Sequence, residues 1–271
     1  MGTSNFRGTL TQTFRALGLM HLLDRMKFAC QKWKNRRANA LFKQERPEVA
    51  LPPDYMLFEA FQLDYRKYYE GGEKTARWVL GHLAKHAPTD GKAILDWGCG
   101  PARVVRHLPN LLGPAARIHA TDYNPRTVAW CQGHIPGVTF DLNQISPPTV
   151  YADGQFDLVY GISIFTHLSE ANHRAWFEEL MRIARPGAVL LLTLHGKVFK
   201  EKMSVSEQKM FDEGHLVVRG KVTEGHRIYA AFHPVEYVRS LFEQRAEVLE
   251  HIEGQARDWG LEQDVWLLRK K

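Results

Sequence analysis

Between residues 93 and 194 the chain switches repeatedly between two hydrophobic periods, and this alternation constrains the fold more than any other feature. Short apolar runs suited to strands are separated by longer stretches in which apolar residues recur every three or four positions. Ala93–Trp97, Ile118–Thr121, Val138–Phe140, Phe156–Tyr160 and Ala188–Leu194 read as strands. Arg103–Leu112, Pro125–Gln132 and Glu170–Ile183 read as helices. Strands joined through helices predict a mostly parallel sheet covered on both faces. Upstream, a helix is expected over Phe58–His86 with a break at Gly71-Gly72. Downstream, a helix over 236–244 precedes strands Ala246–Ile252 and Asp264–Leu268, whose short connection predicts a terminal antiparallel hairpin at the sheet edge. The expectation is an α/β fold with seven strands.

Charge divides the chain unevenly. The net charge is +6, yet residues 1–50 hold ten basic and three acidic residues, so the remainder is nearly neutral. Phe14, Leu17, Leu22, Leu23, Met26, Cys30, Trp33 and Leu41 recur at roughly helical spacing among these cations. Residues 1–50 are therefore read as a basic amphipathic helical arm, and residues 51–271 as the main domain, with the proline-rich 46–54 between them as a linker. Three readings of the arm stay open: a helix packed on the domain with a solvated basic face, a helix on a membrane surface through residues 14–46, or a nucleic-acid arm. The last is disfavoured, because aromatics are not interleaved with the charges for stacking. No run is long and apolar enough to span a bilayer, and no secretory signal is read. The three cysteines, Cys30, Cys99 and Cys131, form no CxxC pair, which fits a reducing cytoplasm and neither a disulfide framework nor a zinc site. A cytoplasmic protein is expected, with a membrane-associated one as the alternative.

The loop after the first strand, in "ILDWGCGPAR" (94–103), is built for a ligand. A dinucleotide loop would place a third glycine where Arg103 stands, and the carboxylate of Asp96 would repel a pyrophosphate. A Walker A loop needs G-K-[ST], which does not follow. The loop suits a ligand with cationic character and no phosphate.

With these residues in place, the chain resembles the class I S-adenosylmethionine-dependent methyltransferases. "LDWGCGPA" is similar to their first motif except that Ala102 stands at the last glycine, "IHATDYNP" resembles the second-strand motif, and "FDLVYGISIFTHL" and "RIARPGAVLLLTLHG" resemble the fourth-strand and following segments. The resemblance covers about residues 92–196. It implies a Rossmann-like sheet and S-adenosyl-L-methionine as cofactor. It implies Asp96, Gly98, Cys99 and Gly100 as cofactor-binding residues, Asp122 on the ribose hydroxyls, and Tyr123 and Asn143 at the adenine. Leu142 and Ile162 complete the expected set, while Arg103 either approaches the cofactor carboxylate or caps surface acids. Taken alone, Asp96 and Asp122 could be helix N-caps.

"GISIFT" stands where the family's amino-methylating enzymes carry N/D-P-P-Y/F, so base N-methylation is disfavoured. The acidic pair of arginine methyltransferases and the carboxylates of the metal-dependent catechol type are also missing, so no metal is expected. Three histidines fall near strand ends: His195, then His167 and His233, in order of preference as general base. Residues 197–234 are read as a substrate-side insertion or lid, joined by Tyr65, Tyr68 and Tyr69. The expected activity is O-methylation of a small molecule, sugar or glycan intermediate. The alternatives are an RNA methyltransferase using the arm and a non-catalytic cofactor-binding scaffold.

Overall fold

A computed structural model describes residues 20–271. Phe14 and Leu17 of the expected arm lie outside the described residues. Among the described residues three helices come first: α1 (Met20–Glu45), α2 (Asp54–Ala60) and α3 (Tyr65–Leu83). The central strands are β1 (Ala93–Trp97), β2 (Arg117–Asp122), β3 (Thr139–Leu142), β4 (Phe156–Ile162) and β5 (Ala184–Leu194). Between them run α4 (Leu108–Leu112), α5 (Pro125–His134) and α6 (Glu170–Ile183). After β5 come α7 (Val205–Asp212), the short antiparallel pair β6 (Val217–Arg219) and β7 (Ala230–Phe232), and α8 (Val235–Phe242). The chain closes with β8 (Ala246–Ile252), the hairpin β9 (Ala256–Arg257) and β10 (Gly260–Leu261), and β11 (Asp264–Lys270).

Seven strands form one sheet in the order β3-β2-β1-β4-β5-β11-β8. β1 through β5 pair in parallel, and β11 runs antiparallel between β5 and β8. The expected mostly parallel sheet with a terminal antiparallel pair is therefore present. β1 is buried along its whole length, and its alternation divides the core. Leu95 and Trp97 pack with α6 and α8, whereas Ile94 packs with α3 and α5. Because β1 pairs with β2 on one side and β4 on the other, its C-terminal end sits where the winding reverses, the place where open α/β sheets leave a crevice.

Two helical expectations are corrected. The break in 58–86 falls at residues 61–64, not at Gly71-Gly72, and α3 runs through both glycines. Asp64 starts α3 by accepting the Lys67 N–H, a cap that competes with continuation from α2. Gly72 serves close packing: a Cβ there would lie 2.1 Å from the Arg103 carbonyl oxygen. The expected helix over 103–112 is also shorter. Residues 101–104 turn, Val105–His107 form a 3-10 turn, and only α4 is α-helical.

α1 packs on the domain with a polar seat. Gln31 accepts the Leu63 N–H, Asn35 donates to the Leu63 carbonyl, and Asn39 accepts the Tyr65 N–H. These amides satisfy the backbone of the α2–α3 break, and Phe28 and Phe42 flank them in a small core with Phe58 and Tyr68. Most of the apolar residues singled out in the sequence, Leu22, Met26, Trp33 and Leu41 among them, point outward instead. Among the described residues, no helix is long and apolar enough to cross a membrane.

Candidate active site

The C-terminal ends of the parallel strands open into one cavity of about 1010 Å³. Its first set of walls comes from the loops after β1, β2 and β3. Gly98 and Gly100 hold positive φ of 78° and 51°, which glycine adopts freely and which lets the backbone fold tightly under a ligand. Ala102 shares this left-handed conformation at φ 57°, so alanine fills the position by accepting local strain. The loop is pinned from below by Gly98 and Cys99, whose N–H groups donate to the Thr121 carbonyl at 2.8 and 3.0 Å.

Asp122, at the end of β2, is buried and bridges two loops. Its Oδ2 accepts the Gly100 N–H at 3.0 Å and its Oδ1 the Asn124 N–H at 2.8 Å. Burial pushes its carboxyl up, while these backbone donors pull it down. Asp96 is buried at the end of β1, and no ion pair holds it among the described residues. Burial raises its carboxyl to about 7, against the opposing pull of the Tyr160 hydroxyl and the Arg103 guanidinium. Arg103 itself donates to Thr75 Oγ1 at 3.0 Å and lies 4.5 Å over the Phe61 ring. Asn143 is buried, accepts from the Thr121 hydroxyl at 2.7 Å and donates to the Gln144 carbonyl.

The second set of walls comes from the loops after β4 and β5, the segment 197–234 and the β9–β10 hairpin. His167 Nδ1 lies 2.8 Å from the Tyr229 carbonyl, and His195 Nδ1 lies 3.1 Å from the Ala231 carbonyl. A carbonyl oxygen can only accept, so each Nδ1 carries the proton and each Nε2 keeps its lone pair. Both imidazoles line the cavity. Burial lowers the pKa of His167, and burial with the neighbouring His167 brings His195 to about 3, so both are neutral at ordinary pH. His195 is held between the Phe199 and Phe232 rings, with centroids 4.1 and 5.5 Å away.

Beneath them lies a polar network that sequence reasoning missed. Ser163, at φ 66°, donates its N–H to Thr193 Oγ1; Thr193 donates to Gln263 Oε1; and Gln263 Nε2 donates back to Ser163 Oγ. The rim adds Glu59, whose carboxylate lies 3.6 Å from His226 Nε2, and Arg227. The exposed Trp259 sits at the tip of the β9–β10 hairpin.

Residues 94–187 match the model of a methyltransferase domain. A protein of Mycobacterium ulcerans, named as a probable phthiotriol/phenolphthiotriol dimycocerosates methyltransferase, is 32% identical over 111 residues. That match spans 38% of this chain and 40% of the relative. An S-adenosylmethionine-dependent methyltransferase of Methanosarcina mazei superposes with a TM-score of 0.55 at 18% identity, covering 70% of this chain and 96% of its own. A protein of Pyrococcus horikoshii OT3 does so at 0.54 and 13% identity, covering 76% and 96%. Residues 94–187 are thus similar to a methyltransferase domain, and the chain shares the fold of S-adenosylmethionine-dependent methyltransferases.

The residues at this site fit S-adenosyl-L-methionine, the cofactor that this likeness implies. Asp122 spends one lone pair of each oxygen on the backbone and lines the cavity with capacity left for a pair of ribose hydroxyls. Asp96 is a buried carboxylate lacking a bonded cation, a place for the ammonium end. Asp96, Gly98, Cys99, Gly100, Arg103, Asp122, Tyr123, Asn143 and Ile162 all line the one cavity. Leu142 does not: it is the last residue of β3, where alternation turns it to the surface while Asn143 turns inward.

His233 is also not at the cavity. It is buried with its Nε2 2.8 Å from His173 Nε2. The Ser169 carbonyl fixes the His173 proton on Nδ1, so His233 donates to His173 and is bound into the core. Tyr65, Tyr68 and Tyr69 are packing residues as well. Tyr68 donates to the Pro101 carbonyl under the cofactor loop, Tyr65 donates to Asp54, and Tyr69 packs on His107. Residues 197–234 contribute Phe199, Gly225, His226 and Arg227 to the cavity wall.

Proposed function

We propose that this protein transfers the methyl group of S-adenosylmethionine to a hydroxyl oxygen of a small molecule, sugar or glycan intermediate, without a metal. When bound, the cofactor supplies a methyl group on a positively charged sulfur. Asp96, Asp122 and Asn143 hold its two ends and fix its position against the β4 and β5 loops, which supports an in-line approach of the acceptor.

The observation that carries the reading is the pair of imidazoles at His167 and His195. Both are locked in the tautomer that leaves Nε2 free, both line the cavity, and neither is charged at working pH. A free Nε2 accepts the hydrogen bond of a hydroxyl, turns an oxygen lone pair toward the methyl group, and takes the proton as the bond forms. His195 stands first, because the Phe199 and Phe232 rings fix its plane. Glu59, His226, Arg227 and Gln263, with the Trp78 and Trp259 rings, give a wall suited to a hydroxyl-rich acceptor. The relative from Mycobacterium ulcerans is named for a triol substrate, which also supports an alcohol as acceptor. Among the described residues, no three His, Cys, Asp or Glu side chains are grouped to hold a metal ion.

Incubation with methyl-labelled S-adenosylmethionine and a panel of hydroxylated acceptors tests this. The expected product is a methyl ether heavier by one CH2, formed equally well with a chelator present. Label on nitrogen or carbon, or tight cofactor binding with no product from any extract, would reject the reading.

A further inference from the structure

We propose that α1 docks this protein on an anionic lipid bilayer through its outward face. The helix is built inside out for a surface helix of a water-soluble domain. Its inward residues are Asp24, Gln31, Asn35 and Asn39, with Phe28 and Phe42. The residues it shows to the outside are Leu22, Met26, Trp33 and Leu41, which are 58%, 61%, 70% and 56% exposed. At 100° per residue, Leu22, Met26, Ala29, Trp33 and Ala40 fall on one strip opposite the polar seat.

The charges complete the pattern. Arg25, Arg36 and Lys43 flank the strip on one side and Lys27 and Lys34 on the other, and none of the five is in an ion pair among the described residues. The two acids of the helix are turned away: Asp24 pairs with Arg227 at 3.6 Å, and Glu45 pairs with Arg66. The outward surface is therefore apolar along its centre and purely cationic along its edges. A helix lying in the plane of a membrane has this section, with the apolar strip among the acyl chains and long cationic side chains reaching sideways to headgroup phosphates. A nucleic acid would meet the cations only at the margins and leave the leucine and methionine strip against its own charge. A second copy docked strip to strip would bring like-charged edges together.

The docked face also connects to the cavity. Arg227, held by Asp24, stacks 4.0 Å over Phe58 and lines the cavity beside His226 and Glu59. Docking through α1 thus carries one wall of the site to the membrane side of the molecule. The proposal stands on the helix alone and does not require the methyl-transfer reading, so a binding assay can fail for one without touching the other.

The full chain is sedimented with vesicles of phosphatidylcholine alone and of phosphatidylcholine mixed with phosphatidylglycerol. The expected result is binding to the mixed vesicles only, falling as salt is raised. Trp33→Glu and Met26→Asp each weaken that binding about tenfold or more, since each removes a buried apolar group and adds a repelled charge. Val205→Asp, on the equally exposed α7, changes nothing. Both α1 positions are exposed, so calorimetric binding of S-adenosylmethionine by the variants serves as the folding control. Failure to bind mixed vesicles, or undiminished binding by Trp33→Glu, overturns the proposal. So does light scattering that shows a dimer which Met26→Asp converts to a monomer, because a second copy then covers the strip.

Discussion

The wall of the cavity that we propose holds the cofactor and the wall that we propose meets the acceptor are built in opposite ways. The cofactor end is local in the chain. Asp96, Gly98 and Gly100 follow β1, Asp122 follows β2 and Asn143 follows β3, each within a few residues of a strand terminus. Its hydrogen bonds are to nearby backbone, such as Gly100 N–H to Asp122. The acceptor end is assembled from far apart. His167 and His195 take their orientation from carbonyls 62 and 36 residues away, and Gln263 reaches Ser163 across 100 residues. A site of the first kind can vary little without losing its ligand, whereas one of the second kind can be rebuilt by changing a loop.

This contrast can be broken or sharpened by four measurements. The largest effect belongs to the acceptor end: His195→Gln lowers kcat by roughly 10²-fold or more, the scale of a positioned general base. Cofactor affinity measured by calorimetry stays as in the wild type. Loss of cofactor binding instead would mean that the two ends are one unit.

Next is Asp122→Ala, which weakens S-adenosylmethionine binding by about tenfold to a hundredfold, the value of charged hydrogen bonds lost from a buried site. Its kcat at saturating cofactor is expected to change far less.

Third is the pH dependence set by Asp96. Its carboxyl is raised to about 7, so in the free protein it holds a proton below that pH. A cationic ligand favours the ionised form, so binding must release that proton. Affinity is therefore expected to be flat above about pH 7 and to fall up to tenfold per unit below it. In Asp96→Asn the affinity is lower and this pH dependence disappears. A pH-independent wild type would place the cationic end elsewhere.

The smallest effect comes from the two adjacent glycines of α3. Gly72→Ala sets a Cβ against the Arg103 carbonyl and is expected to cost about 1–3 kcal/mol in denaturant unfolding. Gly71→Ala meets no atom within 4 Å and is expected to stabilise by about 0.5–1 kcal/mol. Equal effects would mean that α3 does not press on the cofactor loop.

The same contrast explains what could be read from the sequence. The alternation of periods located every central strand, with β3 displaced by a residue or two, because a buried parallel strand is apolar almost along its whole length, as β1 is except at Asp96. The residues proposed to hold the cofactor share one cavity, and that grouping was legible because they follow strand ends at short range. The polar network of Ser163, Thr193 and Gln263 was not, since hydroxyls and amides are common in loops and only folding brings these three together. Leu142 is off the cavity for another reason: it stands beside Asn143, which lines it, and one step along an extended chain reverses the direction of a side chain. His233 lies in the core, bonded to His173, a partner 60 residues away that its local sequence does not reveal. Gly72 was mistaken for a helix break because a glycine required for close approach looks the same in sequence as one that frees the backbone. The actual break at 61–64 is stabilised by amides on α1, which lie 24 to 32 residues earlier.

β7 belongs to the segment between β5 and α8, the part of the chain in which acceptor preference would be revised. The Tyr229 carbonyl just before it and its own Ala231 carbonyl also decide which nitrogen of His167 and of His195 holds a proton. On the proposed reading, recognition and proton acceptance are inherited together: a change of segment that reshapes the pocket for a new alcohol also re-addresses the two protons. Chimaeras that exchange this segment should be cut outside both histidines and β7, so that each imidazole keeps the carbonyl that instructs it.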